Sequence, residues 1–148
     1  MMGLLYSTPV QGELRDCIKL VGDCEFYTCI EEVKDCGRFG YPRGFGKKYC
    51  ERFEDRKDQF SSKGWEWIEK TRTCLINRLA NISDELSCKK LKRQSFKDHV
   101  SCYLDGGFCE LSKNDKKNVY KTIWPSLWRR KTLVAGWKIK KQCRQIKN

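Results

Sequence analysis

CEFYTCIEEVKDCG, Cys24 to Gly37, places three cysteines within fourteen residues. Metal ligands, redox thiols and disulfide staples each follow their own spacing rules, so the reading of this stretch decides the class of fold. Structural zinc sites use close cysteine pairs, often completed by histidine. The chain has ten cysteines but only one histidine, His99, and no Cys-x-x-Cys pair anywhere. The gaps between successive cysteines are 7, 5, 7, 14, 24, 14, 14, 7 and 34 residues. A thioredoxin-like redox site also needs Cys-x-x-Cys. An even number of cysteines in no metal pattern reads as a set of disulfides, hence an oxidising compartment. The sequence implies no metal and no cofactor.

At 148 residues the chain has the length of one domain. A 39 % hydrophobic share makes a modest core, which bridges worth about 2–4 kcal/mol each would reinforce. Residues 1–13, MMGLLYSTPVQGE, have no basic start and too short an apolar run for a complete secretory signal. They are read as a disordered terminus or a signal-peptide remnant, with the folded domain over residues 14–148. No window reaches the length of a membrane span.

Charge is concentrated at one end. Residues 1–112 carry 19 basic and 18 acidic side chains, whereas residues 113–148 carry 12 basic and one acidic. Nearly all of the net +12 sits in this last quarter.

The local pattern is helical. Asp23 suits the N-cap of a helix running to about Lys34, with Gly37 just beyond its end. Four glycines and a proline make GRFGYPRGFG, residues 37–46, a loop whose Phe39, Tyr41 and Phe45 fold back on the core. A helix over Lys47 to about Asp58 follows. In the next, capped by Ser61 or Ser62, Trp65, Ile68, Arg72, Leu75 and Leu79 recur at intervals of three and four, a helical face. Gly64 weakens its first turn. Ser83 suits the cap of a short helix to about Lys92. Ser95 to Asp98 reads as a capping box for another ending at Gly106-Gly107. Ser112 suits the cap of a helix through Ile123, and Pro125 the first turn of a last helix carrying Cys143. Gaps of 14, 14 and 7 residues from Cys74 to Cys109 return to nearly one helical face. The fold expected is all-α: a small disulfide-rich domain of four to six short helices with about five bridges.

The cysteine ladder resembles that of the stanniocalcins, secreted disulfide-rich helical glycoprotein hormones. The residues that carry the likeness are Cys24-x4-Cys29-Ile30-Glu31, Cys36, YCERF at 49–53, FSSKGWEWIEKTRTC at 60–74, Cys88, Phe96, CYLDGGFC at 102–109 and Cys143. The likeness covers roughly residues 17–143. It implies a pairing of Cys17 with Cys29, Cys24 with Cys50, Cys36 with Cys88, Cys74 with Cys102, and Cys109 with Cys143. Spacing alone leaves about 945 pairings open, by the counting rule that gives 105 for eight cysteines. The likeness also implies a hormone-like protein of calcium and phosphate balance that binds and inhibits secreted metalloproteases. Stanniocalcins link two chains through a further cysteine after the tenth. This sequence has no eleventh, which argues against a covalent dimer, and its YPRGFG stretch before Cys50 is longer than the family's loop.

Three other features are candidates for function. His99, Cys102 and Tyr103 fall where secreted phospholipases A2 have theirs, but Val100 stands in place of the calcium-binding Asp and Ser95-Phe96 in place of the double cysteine. His99 is thus a catalytic candidate only on that reading, and otherwise lies on an exposed helix face. Asn81-Ile82-Ser83 is a glycosylation sequon. Asn81 equally suits a helix C-cap.

The third feature is the C-terminal segment, which interleaves Trp124, Trp128 and Trp137 with Arg129, Arg130, Lys131, Lys138, Lys140 and Lys141. Clustered cations attract anionic partners, and tryptophan prefers an interface. An extracellular protein partner, an acidic glycan or an anionic membrane surface fits an exported protein, outside the cell or in a bacterial periplasm. Nucleic acid does not. The plain alternative is a solvated basic face with its tryptophans packed on the core. The function expected is that of a secreted, stanniocalcin-like, non-catalytic binding protein. The alternatives are a phospholipase A2-like enzyme and a cationic membrane-active or toxin-like protein.

Overall fold

Helical turns account for nearly all of the chain's regular structure. The computed structural model describes residues 13–82 and 84–146, and among them there is no strand. A 3₁₀ helix over Leu14–Leu20 comes first. Glu13, which the sequence reading assigns to the terminal segment, caps it, its N–H donating to Asp16 Oδ2 at 3.0 Å. The rest of that segment lies outside the described residues. Six α-helices follow: α1 (Phe26–Lys34), α2 (Lys48–Asp55), α3 (Ser62–Ala80), α4 (Cys88–Asp105), α5 (Lys113–Ile123) and α6 (Arg130–Ile146).

Helix α3 is the spine. Its N-terminal half places Trp67 and Ile68 in a cluster with Phe108, Val119 and Ile139. Its C-terminal half places Ile76, Leu79 and Ala80 in a larger cluster with Leu14, Phe26, Tyr27, Ile30, Tyr41, Phe45, Tyr49, Leu91 and Phe96. Each fully buried side chain of this size removes about 1.5–3 kcal/mol of apolar exposure from water. Ser61 caps the helix by accepting from Gly64 N–H at 3.1 Å.

The N-cap of α1 is Glu25 rather than Asp23, α2 stops at Asp55 rather than near Asp58, and three further boundaries differ from the sequence reading. The first is the glycine-rich stretch, which is helical from Pro42: a π-helical turn, Pro42–Lys47, runs directly into α2. Tyr41, Phe45 and Tyr49 are four residues apart, share one face and are all buried. Burial of that aromatic row outweighs the weak helix propensity of the glycines. Tyr41 and Phe45 do reach the core. Phe39 does not; it is 79 % exposed, with the Arg38 guanidinium over its ring.

The second is the expected break at Ser95, which does not occur. Cys88–Asp105 is a single helix capped by Ser87, whose hydroxyl accepts from Lys90 N–H, and Ser95 is buried inside it. Ser83, the expected cap, lies outside the described residues. As expected the helix ends at Gly106-Gly107, where Gly107 has φ +95°, a conformation that favours glycine. The third concerns Pro125, which sits in a separate 3₁₀ turn, Trp124–Ser126, and α6 begins only at Arg130.

The ten cysteines form five bridges: Cys17–Cys29, Cys24–Cys50, Cys36–Cys88, Cys74–Cys102 and Cys109–Cys143. They tie the 3₁₀ helix to α1, α2 to the turn before α1, the end of α1 to the start of α4, α3 to α4, and α6 to the turn before α5. Bridges in this number belong to an oxidising compartment. Among the described residues no helix is long and apolar enough to cross a membrane.

Candidate functional site

Helix α5 owes its position to one acid. Asp115, the sole carboxylate of residues 113–148, is buried and accepts from both Ser61 N–H, at 2.9 Å, and Ser61 O–H. Burial alone would raise its pKa, but these bonds and the Ser112 hydroxyl hold it below the usual carboxylate range. The first turns of α3 and α5 are thereby latched together. Asp115, Asn118, Val119 and Thr122 form the inward face of α5. By helical periodicity Lys113, Lys116, Lys117, Tyr120, Lys121 and Trp124 then share the outward face.

Helix α6 is similarly two-sided. Thr132 and Ile139 are buried, and Cys143 is bridged to Cys109. On the opposite side Leu133 and Val134 are exposed, as is Trp137 at 59 %. Trp124 and Trp128 are 59 % and 82 % exposed, their ring centroids 6.3 Å apart. The packed-tryptophan alternative is therefore corrected: all three C-terminal tryptophans face solvent. Pro125 ends α5 early, and the Trp124–Ser126 turn then points the rings away from the core.

Of the predicted cations, Arg130, Lys131, Lys138, Lys140 and Lys141 are exposed and Arg129 is half-buried. Lys141 Nζ lies 5.2 Å from the centre of the Trp137 ring. Among the described residues no carboxylate is ion-paired with any lysine or arginine of residues 113–146. Helix α4 adds a cation that sequence reasoning missed, Lys92. Its pKa is lowered by partial burial and then by repulsion from Arg129 and Lys131. Arg52 and Arg56 of α2 were missed as well. They line one shallow groove with the outward face of α5. Their position four residues apart was a signal, but nothing in sequence brings α2 beside α5.

His99 is not on an exposed face. It is half-buried among the rings of Tyr41, Phe45, Phe96 and Tyr103, with centroids 5.4–6.1 Å away. Its Nδ1 lies 2.7 Å from the Ser95 carbonyl, so Nδ1 carries the proton. Burial lowers its pKa, partly opposed by the Ser95 carbonyl and by Asp98. Asp98 itself is held by Arg78 and Gln94. The ring is therefore a member of the aromatic core, and none of its contacts is to a carboxylate that would orient it as a base. Among the described residues no group of three His, Cys, Asp or Glu side chains is placed to hold a metal ion.

Asn81 is exposed at the C-cap of α3, its Nδ2 donating to the Asn77 carbonyl at 2.7 Å. Ser83 of the sequon lies outside the described residues.

No family model, curated protein or solved structure matches this chain.

Proposed function

We propose that this chain is a secreted, non-catalytic binding protein on a stanniocalcin-like framework, and that it meets its partner through the basic, tryptophan-bearing C-terminal surface. The observation that carries the framework is the bridge set. Cys17–Cys29, Cys24–Cys50, Cys36–Cys88, Cys74–Cys102 and Cys109–Cys143 are the pairs that the resemblance implies. What supports binding over catalysis is the contrast between two regions. His99 is occupied by core packing, whereas the C-terminal surface holds exposed rings and cations that pair with no carboxylate among the described residues.

The test is a non-reducing peptide map of protein exported through an oxidising compartment. Recovery of Cys36–Cys88, Cys74–Cys102 and Cys109–Cys143 supports the framework. Free thiols, or another pairing, overturn it.

A second reading is favoured by Leu133, Val134, Trp128 and Trp137, apolar groups exposed amid cations, the composition of an interfacial helix. On that reading α6 lies on an anionic membrane. Co-sedimentation with phosphatidylserine-containing vesicles, absent with pure phosphatidylcholine and weakened by salt, would support it.

A further inference from the structure

Two shallow grooves flank α5. One, of about 740 Å³, runs between α5 and α2 and is lined by Arg52, Arg56, Lys113, Lys117, Lys121 and Trp124, among others. The other, of about 320 Å³, runs between α5 and α6 and is lined by Lys140 and Arg144 together with Phe108 and Cys143. Lys116 and Tyr120 belong to both. The grooves therefore form one continuous band of eight cations drawn from α2 and its C-cap, α5 and α6, and among the described residues no carboxylate lines it. We infer that this band is a binding site for a linear sulfated polysaccharide.

Three observations favour that occupant. The cations stand in rows. Residues four apart on a helix rise about 6 Å, so Lys113, Lys117 and Lys121 span about 12 Å along α5, beside the pair Arg52 and Arg56 on α2. Such rows suit a chain with an anionic group on successive units and exceed what one small anion can neutralise.

The arginines are also held in place. Arg52 Nε donates to the Thr122 carbonyl at 2.8 Å, and Arg56 donates from Nε to Thr122 Oγ1 at 3.0 Å and from Nη2 to Asn118 Oδ1 at 3.2 Å. Both terminal nitrogens of Arg52 and Nη1 of Arg56 have no protein partner among the described residues. A fixed guanidinium with free terminal N–H groups is organised in advance for the oxygens of a sulfate group.

Finally, Tyr120 and Trp124, 41 % and 59 % exposed, line the same groove as the charges. Flat apolar faces beside cations suit sugar rings that carry sulfate at their edges. A bilayer would need the apolar side chains at the contact, yet Leu133, Val134 and Trp137 line neither groove. The choice of a glycan over a nucleic acid rests on the proposed export of the protein.

The experiment is a titration of the full chain, bridges intact, with size-defined heparin oligosaccharides, followed by calorimetry at two salt concentrations. Lys117→Gln/Lys121→Gln removes two exposed band cations. Lys89→Gln/Lys90→Gln removes two exposed α4 cations that line neither groove and lie outside the C-terminal surface, so net charge falls equally. A dodecasaccharide should bind the native chain, more weakly at the higher salt. The band variant should lose at least about tenfold in affinity, and the α4 variant less than about twofold.

Equal losses in the two variants would mean unspecific charge attraction and overturn the proposal. So would binding of a disaccharide or inorganic sulfate as tight as that of the dodecasaccharide, equal binding of single-stranded DNA, or binding of anionic vesicles with none of the oligosaccharide. The bridge map is read separately, so failure here leaves the framework standing, and failure there leaves the band measured.

Discussion

Replacing Gly64 by alanine sets two effects of opposite sign against each other. Within a helix, glycine to alanine ordinarily gains about 0.5–1 kcal/mol through backbone entropy and helix propensity. Gly64 is in the first turn of α3, and on that ground Gly64→Ala should stabilise. The structure argues the reverse. A Cβ at this position would lie 2.5 Å from Asp115 Oδ1, 2.6 Å from its Cγ and 2.8 Å from Oδ2. The carboxylate cannot swing aside freely, because Ser61 holds both of its oxygens. Moving it breaks two charge-assisted bonds at a buried site, each worth about 1.5–3 kcal/mol, or else strains the packing by about 1–3 kcal/mol. The second effect wins: the chain takes the cheaper relaxation, about 1–3 kcal/mol, and after the gain from alanine a net loss of about 1–2 kcal/mol remains. For a domain of this size that lowers Tm by roughly 2–8 °C. The assay is thermal and guanidinium unfolding followed by circular dichroism, with the bridges intact. A double-mutant cycle sharpens it. In an Asp115→Ala background the obstruction is gone, and Gly64→Ala should regain its stabilising sign. A Gly64→Ala protein as stable as the parent, or the same loss in both backgrounds, would refute the latch between α3 and α5.

The buried groups give a pH dependence with a definite sign. The folded-state pKa of His99 is depressed from 6.5, so the fold prefers the neutral ring. Below pH 6.5 the unfolded chain takes up that proton first, and stability should fall until the folded-state pKa is reached. Urea titrations across this range should show the slope, and His99→Asn should flatten it; an unchanged slope would assign it elsewhere. Asp115 acts lower. Its depressed pKa contributes stability above 3.8 that is lost as pH falls through the folded value, and Asp115→Asn should remove that component from the acid-unfolding curve. Bridge removal should rank by loop length. Cys36→Ser/Cys88→Ser opens a separation of 52 residues and Cys17→Ser/Cys29→Ser one of 12, for expected losses of about 4 and about 3 kcal/mol in guanidinium unfolding. The opposite order would show that native contacts, rather than chain entropy, dominate.

The helical class and the N-caps at Ser61 and Ser112 were legible because they depend on residues close in sequence. Ser61 and Ser112 cap where their own turns demand it, and Asn81 ends α3. The misreadings were tertiary. Gly and Pro counts made residues 37–46 a loop, although Tyr41, Phe45 and Tyr49 recur at four and bury as a row. Ser95 reads as a cap in isolation, yet Phe96 and the Cys74–Cys102 bridge hold α4 straight through it. That the cysteines are bridged follows from composition. Which cysteine meets which follows from no local rule and entered only through the likeness to a family. The cations of residues 113–148 were visible as a run, but Arg52, Arg56 and Lys92 join them only by folding.

Concentrated charge has a structural consequence that the bridges bear on. Residues 113–148 hold twelve cations against one acid, and that acid is turned inward to cap-bound Ser61. The remaining charges repel one another; Lys92 on α4, its pKa lowered first by partial burial, is lowered further by Arg129 and Lys131. Unopposed, such repulsion favours expansion of the segment. Cys109–Cys143 closes a separation of 34 residues over this same segment, which by chain entropy contributes about 4 kcal/mol. It also ties α6 to the turn that precedes α5. A segment that only needed solubility would interleave acids with its bases and need no clasp. Binding of the proposed anionic chain would relieve this repulsion. The same reasoning makes the unbound protein more stable as salt is raised.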